Sequence, residues 1–102
     1  MSLKVCTVGA GYFAQFHHDG WSRHEGVTLA AVCDADAEAA RSTAAKYNVA
    51  STFTELESML EAEKPQLLDI ITPPPTHFGI ISTAIERKVR CIMCQVSSVC
   101  SL

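Results

Sequence analysis

Apolar and polar positions along this chain alternate between two rhythms. Short unbroken apolar runs rich in β-branched residues are separated by stretches of roughly helical spacing. The runs Leu3–Val8, Val27–Cys33, Ala50–Phe53, Leu67–Ile71 and Val89–Cys94 read as five strands. Between them, Tyr12–Trp21 reads as a helix, and Ala37, Ala40, Ala44 and Tyr47 recur on one face of a second helix that Asp36 can cap and Asn48 can end. Thr54-Glu55-Leu56-Glu57 has the form of a capping box ahead of Leu56, Met59 and Leu60, a segment that Pro65 stops. A fourth helix, from about Thr76 to Lys88, presents His77, Ile81, Ala84, Ile85 and Lys88 on one side. Unbroken apolar strands separated by helices imply right-handed crossovers and a parallel sheet covered on both faces. The fold class is therefore α/β, a doubly wound, Rossmann-like parallel sheet of about five strands in the order 3-2-1-4-5. Its ligand crevice lies beyond the carboxyl ends of strands one and four.

The first strand runs directly into Gly9-Ala10-Gly11-Tyr12-Phe13-Ala14, a Gly-x-Gly-x-x-Ala turn at the start of a helix. Each small residue has a physical task in binding a dinucleotide. Gly9 permits the tight turn, Gly11 lets the backbone approach the pyrophosphate, and Ala14 lets the helix pack against the strand. The unpaired N–H groups at the helix start then face the anion. Asp34 follows Ala14 by 20 residues and ends strand two, where a carboxylate can accept hydrogen bonds from the adenosine ribose. The same charge repels a 2′-phosphate, and Ala35 follows it, so NAD is favoured over NADP. Asp34 also suits the plain role of starting a turn. A methyltransferase-type site for S-adenosylmethionine uses a similar sheet, but it places an acidic residue before a denser glycine cluster, whereas Thr7-Val8 stand here.

Composition narrows the partners further. The 102 residues are 48% hydrophobic, with a net charge of −3 and scattered Lys and Arg, so no basic groove for nucleic acid or anionic membrane is present. No apolar stretch reaches the roughly 18 residues needed to span a bilayer, and the N-terminus, with the single Lys4, moves directly into the first strand with no signal-peptide pattern. A cytoplasmic location is expected. The five cysteines are odd in number and mostly within strands, which suits buried thiols in a reducing compartment. Cys91 and Cys94 have redox or zinc spacing, but residues three apart on a strand point to opposite faces. His17-His18-Asp19 cannot converge on one ion, because neighbouring helical residues diverge by about 100° each. No metal site is therefore expected, and His17 and His18 read as a helix face near the glycine turn. Trp21 reads as core or helix-end packing.

Together, the glycine turn, Ala30-Ala31-Val32-Cys33-Asp34, Tyr47-Asn48-Val49 and above all Thr72-Pro73-Pro74-Pro75-Thr76-His77 resemble the glucose–fructose oxidoreductase/inositol dehydrogenase/MocA family. The resemblance covers Leu3 to about Gln95, giving a dinucleotide-binding domain over 1–95 and an atypical tail over 96–102. It implies an NAD(P)-dependent oxidoreductase acting on a sugar, cyclitol or related polyol, with Gly9, Gly11, Tyr12 and Phe13 lining the pyrophosphate and Asp34 holding the ribose. Thr72, Pro73 and Pro74 would border the adenosine and the nicotinamide-side ribose, and His77 would stand near the opening of the following helix. The family usually carries Glu-Lys-Pro or Gln-Lys-Pro after strand five, and its Lys polarises the reacting group. This chain reads Cys94-Gln95-Val96-Ser97-Ser98, with no Lys within five residues of Gln95. The resemblance thus implies a catalytically incomplete N-terminal piece without its substrate domain and with no catalytic residue of its own. The tail stays open between a frameshift, a splice product and a natural end. A different class of reading is a non-catalytic interaction module with a vestigial nucleotide site. Losing later strands would leave strand five as an edge, so self-association is also expected.

Overall fold

The computed structural model describes residues 2–11, 14–72 and 77–94. The elements run β1 (Leu3–Val8), α1 (Ala14–Arg23), β2 (Val27–Cys33), α2 (Ala37–Lys46), β3 (Ser51–Phe53), α3 (Leu56–Glu63), β4 (Leu67–Ile70), α4 (His77–Glu86) and β5 (Cys91–Cys94). All neighbouring strands pair in parallel, in the order β3-β2-β1-β4-β5. This is the doubly wound arrangement that the alternating pattern predicts.

Period-2 alternation assigns the two faces of the sheet. Cys6 and Val8 of β1, Ala31 and Cys33 of β2, and Leu68 and Ile70 of β4 meet Met59 and Leu60 of α3 and Ala84 of α4 in one core cluster. On the other face Val32 packs with Ala40 and Ala44 of α2 and with Val49. Val5, Thr7 and Asp69 alternate with the first cluster and are completely buried on the α1 side. Every residue of β4, which lies between the central strand β1 and the edge strand β5, is buried.

The helix ends follow from local chemistry. Asp36 caps α2, its carboxylate accepting from the backbone N–H groups of Glu38 and Ala39. Asn48, at φ 58°, takes the left-handed conformation that closes the helix, and the Val49 N–H then reaches the Ala44 carbonyl at 2.8 Å. The end of α4 repeats the device with Lys88 at φ 61° and Val89 N–H on the Ala84 carbonyl at 3.0 Å. That bond takes Val89 out of the sheet, so β5 begins two residues later than the apolar run suggests.

Three local expectations are corrected. The capping box at Thr54 does not form, because Glu55 is the N-cap of α3 and makes no side-chain cap bond. This register moves Glu57 off the third helical position, and its carboxylate pairs with Arg87 at 3.4 Å instead. Ile85 does not share the packed side of α4. Ile80, Ile81 and Ala84 face the core, whereas Ile85 is 62% and Phe78 81% exposed. Cys91 is exposed rather than a buried strand thiol, since it faces away from the cluster that Ile92 and Cys94 join. Cys6, Cys33, Cys91 and Cys94 are free thiols. No helix among the described residues is long and apolar enough to cross a membrane.

Candidate functional site

The carboxyl ends of β1, β2 and β4 converge on the glycine turn. Gly9 donates its N–H to the Cys33 carbonyl at 2.7 Å, and Ile71 donates to the Val8 carbonyl at 2.8 Å, so the turn is wedged between two strand exits. Gly9 adopts φ +114°, and a Cβ built there would lie 3.1 Å from the Ile71 carbonyl carbon and 3.2 Å from the Thr72 nitrogen. Only glycine satisfies both the dihedral and the space. Gly11 differs in kind. No described residue lies within 4 Å of the position its Cβ would take, which leaves open space beside the start of α1. Ala14, 2% exposed, is pressed against the sheet as the first residue of that helix, and its N–H reaches the Gly11 carbonyl at 3.0 Å.

Asp34 closes the turn from the β2 side. One carboxylate oxygen accepts from the Ala10 N–H at 2.8 Å and the other from the Asp36 N–H, also at 2.8 Å. The charge is therefore held by two backbone donors, and each oxygen keeps acceptor capacity for a further hydroxyl. Gly9, Gly11, Ala14, Asp34 and Thr72 are thus gathered at one edge of the sheet. Tyr12, Phe13, Pro73 and Pro74 lie outside the described residues, and so does the side chain of His77, which opens α4.

Behind the turn lies a polar layer with no counterpart among the predicted site residues. His18 is fully buried. Its Nδ1 lies 2.7 Å from the Ala14 carbonyl and its Nε2 2.7 Å from Thr7 Oγ1. Its ring stacks on Tyr47 at 5.7 Å between centroids, and the Tyr47 hydroxyl donates to the Gln15 carbonyl. Burial pushes the His18 imidazole below its ordinary pKa, against the opposing pull of the Ala14 hydrogen bond and of Asp69. One turn around the helix, Asp69 Oδ2 accepts from Trp21 Nε1 at 2.7 Å and lies 2.9 Å from His17 Nδ1. Its other oxygen, Oδ1, is buried without a partner among the described residues. The two neighbouring histidines thus serve different strands, as their 100° divergence requires, and no metal-ligating group of three or more His, Cys, Asp or Glu occurs among the described residues. A charged residue inside Leu67-Leu68-Asp69-Ile70-Ile71, with His17 and Trp21 four apart on one helix, was the available sign of this network.

Comparison with known proteins decides what this geometry belongs to. Residues 3–95 match the model of the Gfo/Idh/MocA oxidoreductase family, NAD-binding Rossmann fold. The chain belongs to that family. D-apiose dehydrogenase of Paraburkholderia graminis is 30% identical over 93 residues, which is 91% of this chain and 24% of the relative. D-glucoside 3-dehydrogenase of Escherichia coli is 31% identical over 94 residues, 91% of this chain and 26% of that protein. The myo-inositol dehydrogenase of Lactobacillus casei, solved with NAD(H) and myo-inositol, superposes with a TM-score of 0.85 at 22% identity, over 92% of this chain and 28% of the other. At that identity the superposition establishes the fold. The chain spans about a quarter of the length of these Gfo/Idh/MocA relatives.

Proposed function

We propose that this chain is the NAD-binding part of an oxidoreductase acting on a sugar, cyclitol or related polyol, and that alone it binds cofactor without completing the reaction. The observation that carries this reading is the open space over Gly11 at the start of α1, with the Asp34 carboxylate alongside. A pyrophosphate fits a place where a Cβ would otherwise stand, facing N–H groups at a positive helix end. Asp34 would accept from the ribose hydroxyls and repel a 2′-phosphate, which favours NAD over NADP. Thr72, Pro73, Pro74, Tyr12, Phe13 and His77 are the further cofactor contacts proposed. Bound NAD would supply the hydride acceptor.

The relatives, D-apiose, D-glucoside and inositol dehydrogenases by name, support a polyhydroxylated substrate in a longer protein. No Lys lies within five residues of Gln95, the place where the family usually carries one, which supports an incomplete acid–base set in this stretch. The four free thiols among the described residues fit the reducing cytosol. Strand β5 pairs only with β4 among the described strands and carries neither charge nor proline, so self-association through that edge is also proposed. Sedimentation of a monomer mass unchanged with concentration would count against it.

Calorimetric titration with NAD and, separately, NADP tests the main reading. NAD is expected to bind in the micromolar to millimolar range and more tightly than NADP, and Asp34→Asn is expected to weaken NAD and narrow that preference. No heat with either nucleotide from a folded sample would leave the vestigial interaction module as the better account.

A further inference from the structure

We infer that Thr7 and His18 are positioning residues for the phosphate-facing turn. They form a hydrogen-bonded tie from the interior of β1 to the first residue of α1, fixing how far that helix start stands from the anion. The inference rests on the cofactor reading above and names residues that the glycine motif does not include.

The directions of the hydrogen bonds follow from the partners. The Ala14 carbonyl can only accept, so His18 Nδ1 carries the proton. Burial disfavours the charged ring, which makes Nε2 an acceptor and the Thr7 hydroxyl its donor. The tie therefore runs from strand to hydroxyl to imidazole to the carbonyl of Ala14, whose own N–H is already engaged by Gly11. One residue further, the Gln15 carbonyl accepts from Tyr47, the residue that stacks on His18. The first two carbonyls of α1 thus each carry a side-chain donor, one from His18 a turn further along the same helix and held by Thr7 of β1, the other from Tyr47 beyond α2.

A merely structural need would not call for this chemistry. Replacing both members of a buried hydrogen-bonded pair by apolar groups of similar shape is close to neutral for stability. Thr7→Val keeps the shape of the side chain, and His18→Phe, though larger, keeps a ring against Tyr47. What they would lose is direction. Anion binding by backbone N–H groups depends on placement to fractions of an ångström, and misplacement by about 1 Å is enough for order-of-magnitude effects.

The test titrates the full chain and the double variant Thr7→Val/His18→Phe with NAD and with adenosine, which reaches Asp34 but has no pyrophosphate. The double variant is expected to keep its thermal midpoint within a few degrees and to lose about tenfold in NAD affinity, while adenosine binding changes by less than about twofold. Equal losses for the two ligands, or NAD affinity within about twofold of the original, overturn the inference. Should the double variant fail to fold, Thr7→Val alone carries the same comparison, since it exchanges a hydroxyl for a methyl. Absence of NAD binding by the original chain overturns the cofactor reading and this inference with it. Binding by the original chain that Thr7→Val leaves untouched overturns the inference alone.

Discussion

The two glycines of the turn should fail in opposite ways when each is given a methyl group. In Gly9→Ala the new Cβ meets backbone atoms at 3.1 and 3.2 Å, at the exit of a fully buried strand that cannot swing aside, and φ is +114°. An L-residue in so unfavourable a conformation costs on the order of 1–3 kcal/mol. Forcing a methyl into a packed site costs about 1–3 kcal/mol more. A total of about 2–6 kcal/mol is a large share of the roughly 5–15 kcal/mol that holds a domain of this size. It corresponds to a fall in thermal midpoint of roughly 10 °C at the least and up to about 45 °C. In Gly11→Ala the Cβ enters empty space, so the midpoint should move by no more than about 0.5 kcal/mol in equivalent stability. NAD affinity, in contrast, should fall by about tenfold or more, because the methyl occupies the place the phosphates must approach. Circular-dichroism melts of both variants, followed by titration of the Gly11 variant with NAD, separate the two effects. Equal thermal losses at the two positions, or a Gly9→Ala midpoint within about 2 °C of the original, would refute the reasoning.

Three further outcomes follow from other parts of the molecule. Asp69→Ala strips the acceptor from Trp21 Nε1 and His17 Nδ1 and should cost about 2–3 kcal/mol in urea unfolding, with Asp69→Asn costing less because one acceptor oxygen survives; equal costs would mean that charge, not hydrogen-bond acceptance, is what α1 requires. Burial pushes the Cys6 and Cys33 thiols from 9.0 up to about 12 and about 11. Above pH 9 the unfolded chain then holds fewer protons than the folded one, so stability should fall as pH rises from about 9 toward 11–12, by up to about 1.4 kcal/mol per unit for each thiol. Urea midpoints measured across that range should lose this component in Cys6→Ala/Cys33→Ala. Lys88→Gly relieves a side chain held at φ 61° after α4 and should raise stability by about 0.5–1 kcal/mol, whereas a lower urea midpoint would show that the lysine side chain contributes more than its backbone strain costs.

The sheet was legible because parallel strands buried on both faces leave uninterrupted apolar runs, and β1 and β2 occupy the very residues their runs mark out. Boundaries drifted where a backbone bond competed with the ladder, as when Val89 closes α4 instead of opening β5. Thr54 misled because the capping-box pattern does not say which of two adjacent residues will take the cap. The glycine turn and Asp34 were visible because their constraints are local. Thr7, His18 and Asp69 were not, since their pairing depends on how α1 is rotated over β1 and β4, and no short window of sequence contains that angle.

The hydrogen bonds of Asp34 bear on how such a domain would age. If a descendant of this chain gave up its nucleotide for some other task, the part-buried Ala10 amide would still call for an acceptor, so selection for folding alone would favour keeping the acid, and likewise Gly9. Gly11 has no such protection, because no described residue crowds the place of its Cβ. Among related chains, the residue standing at that one exposed position would therefore date the loss of the ligand, while the more familiar acidic signature survived as an architectural relic.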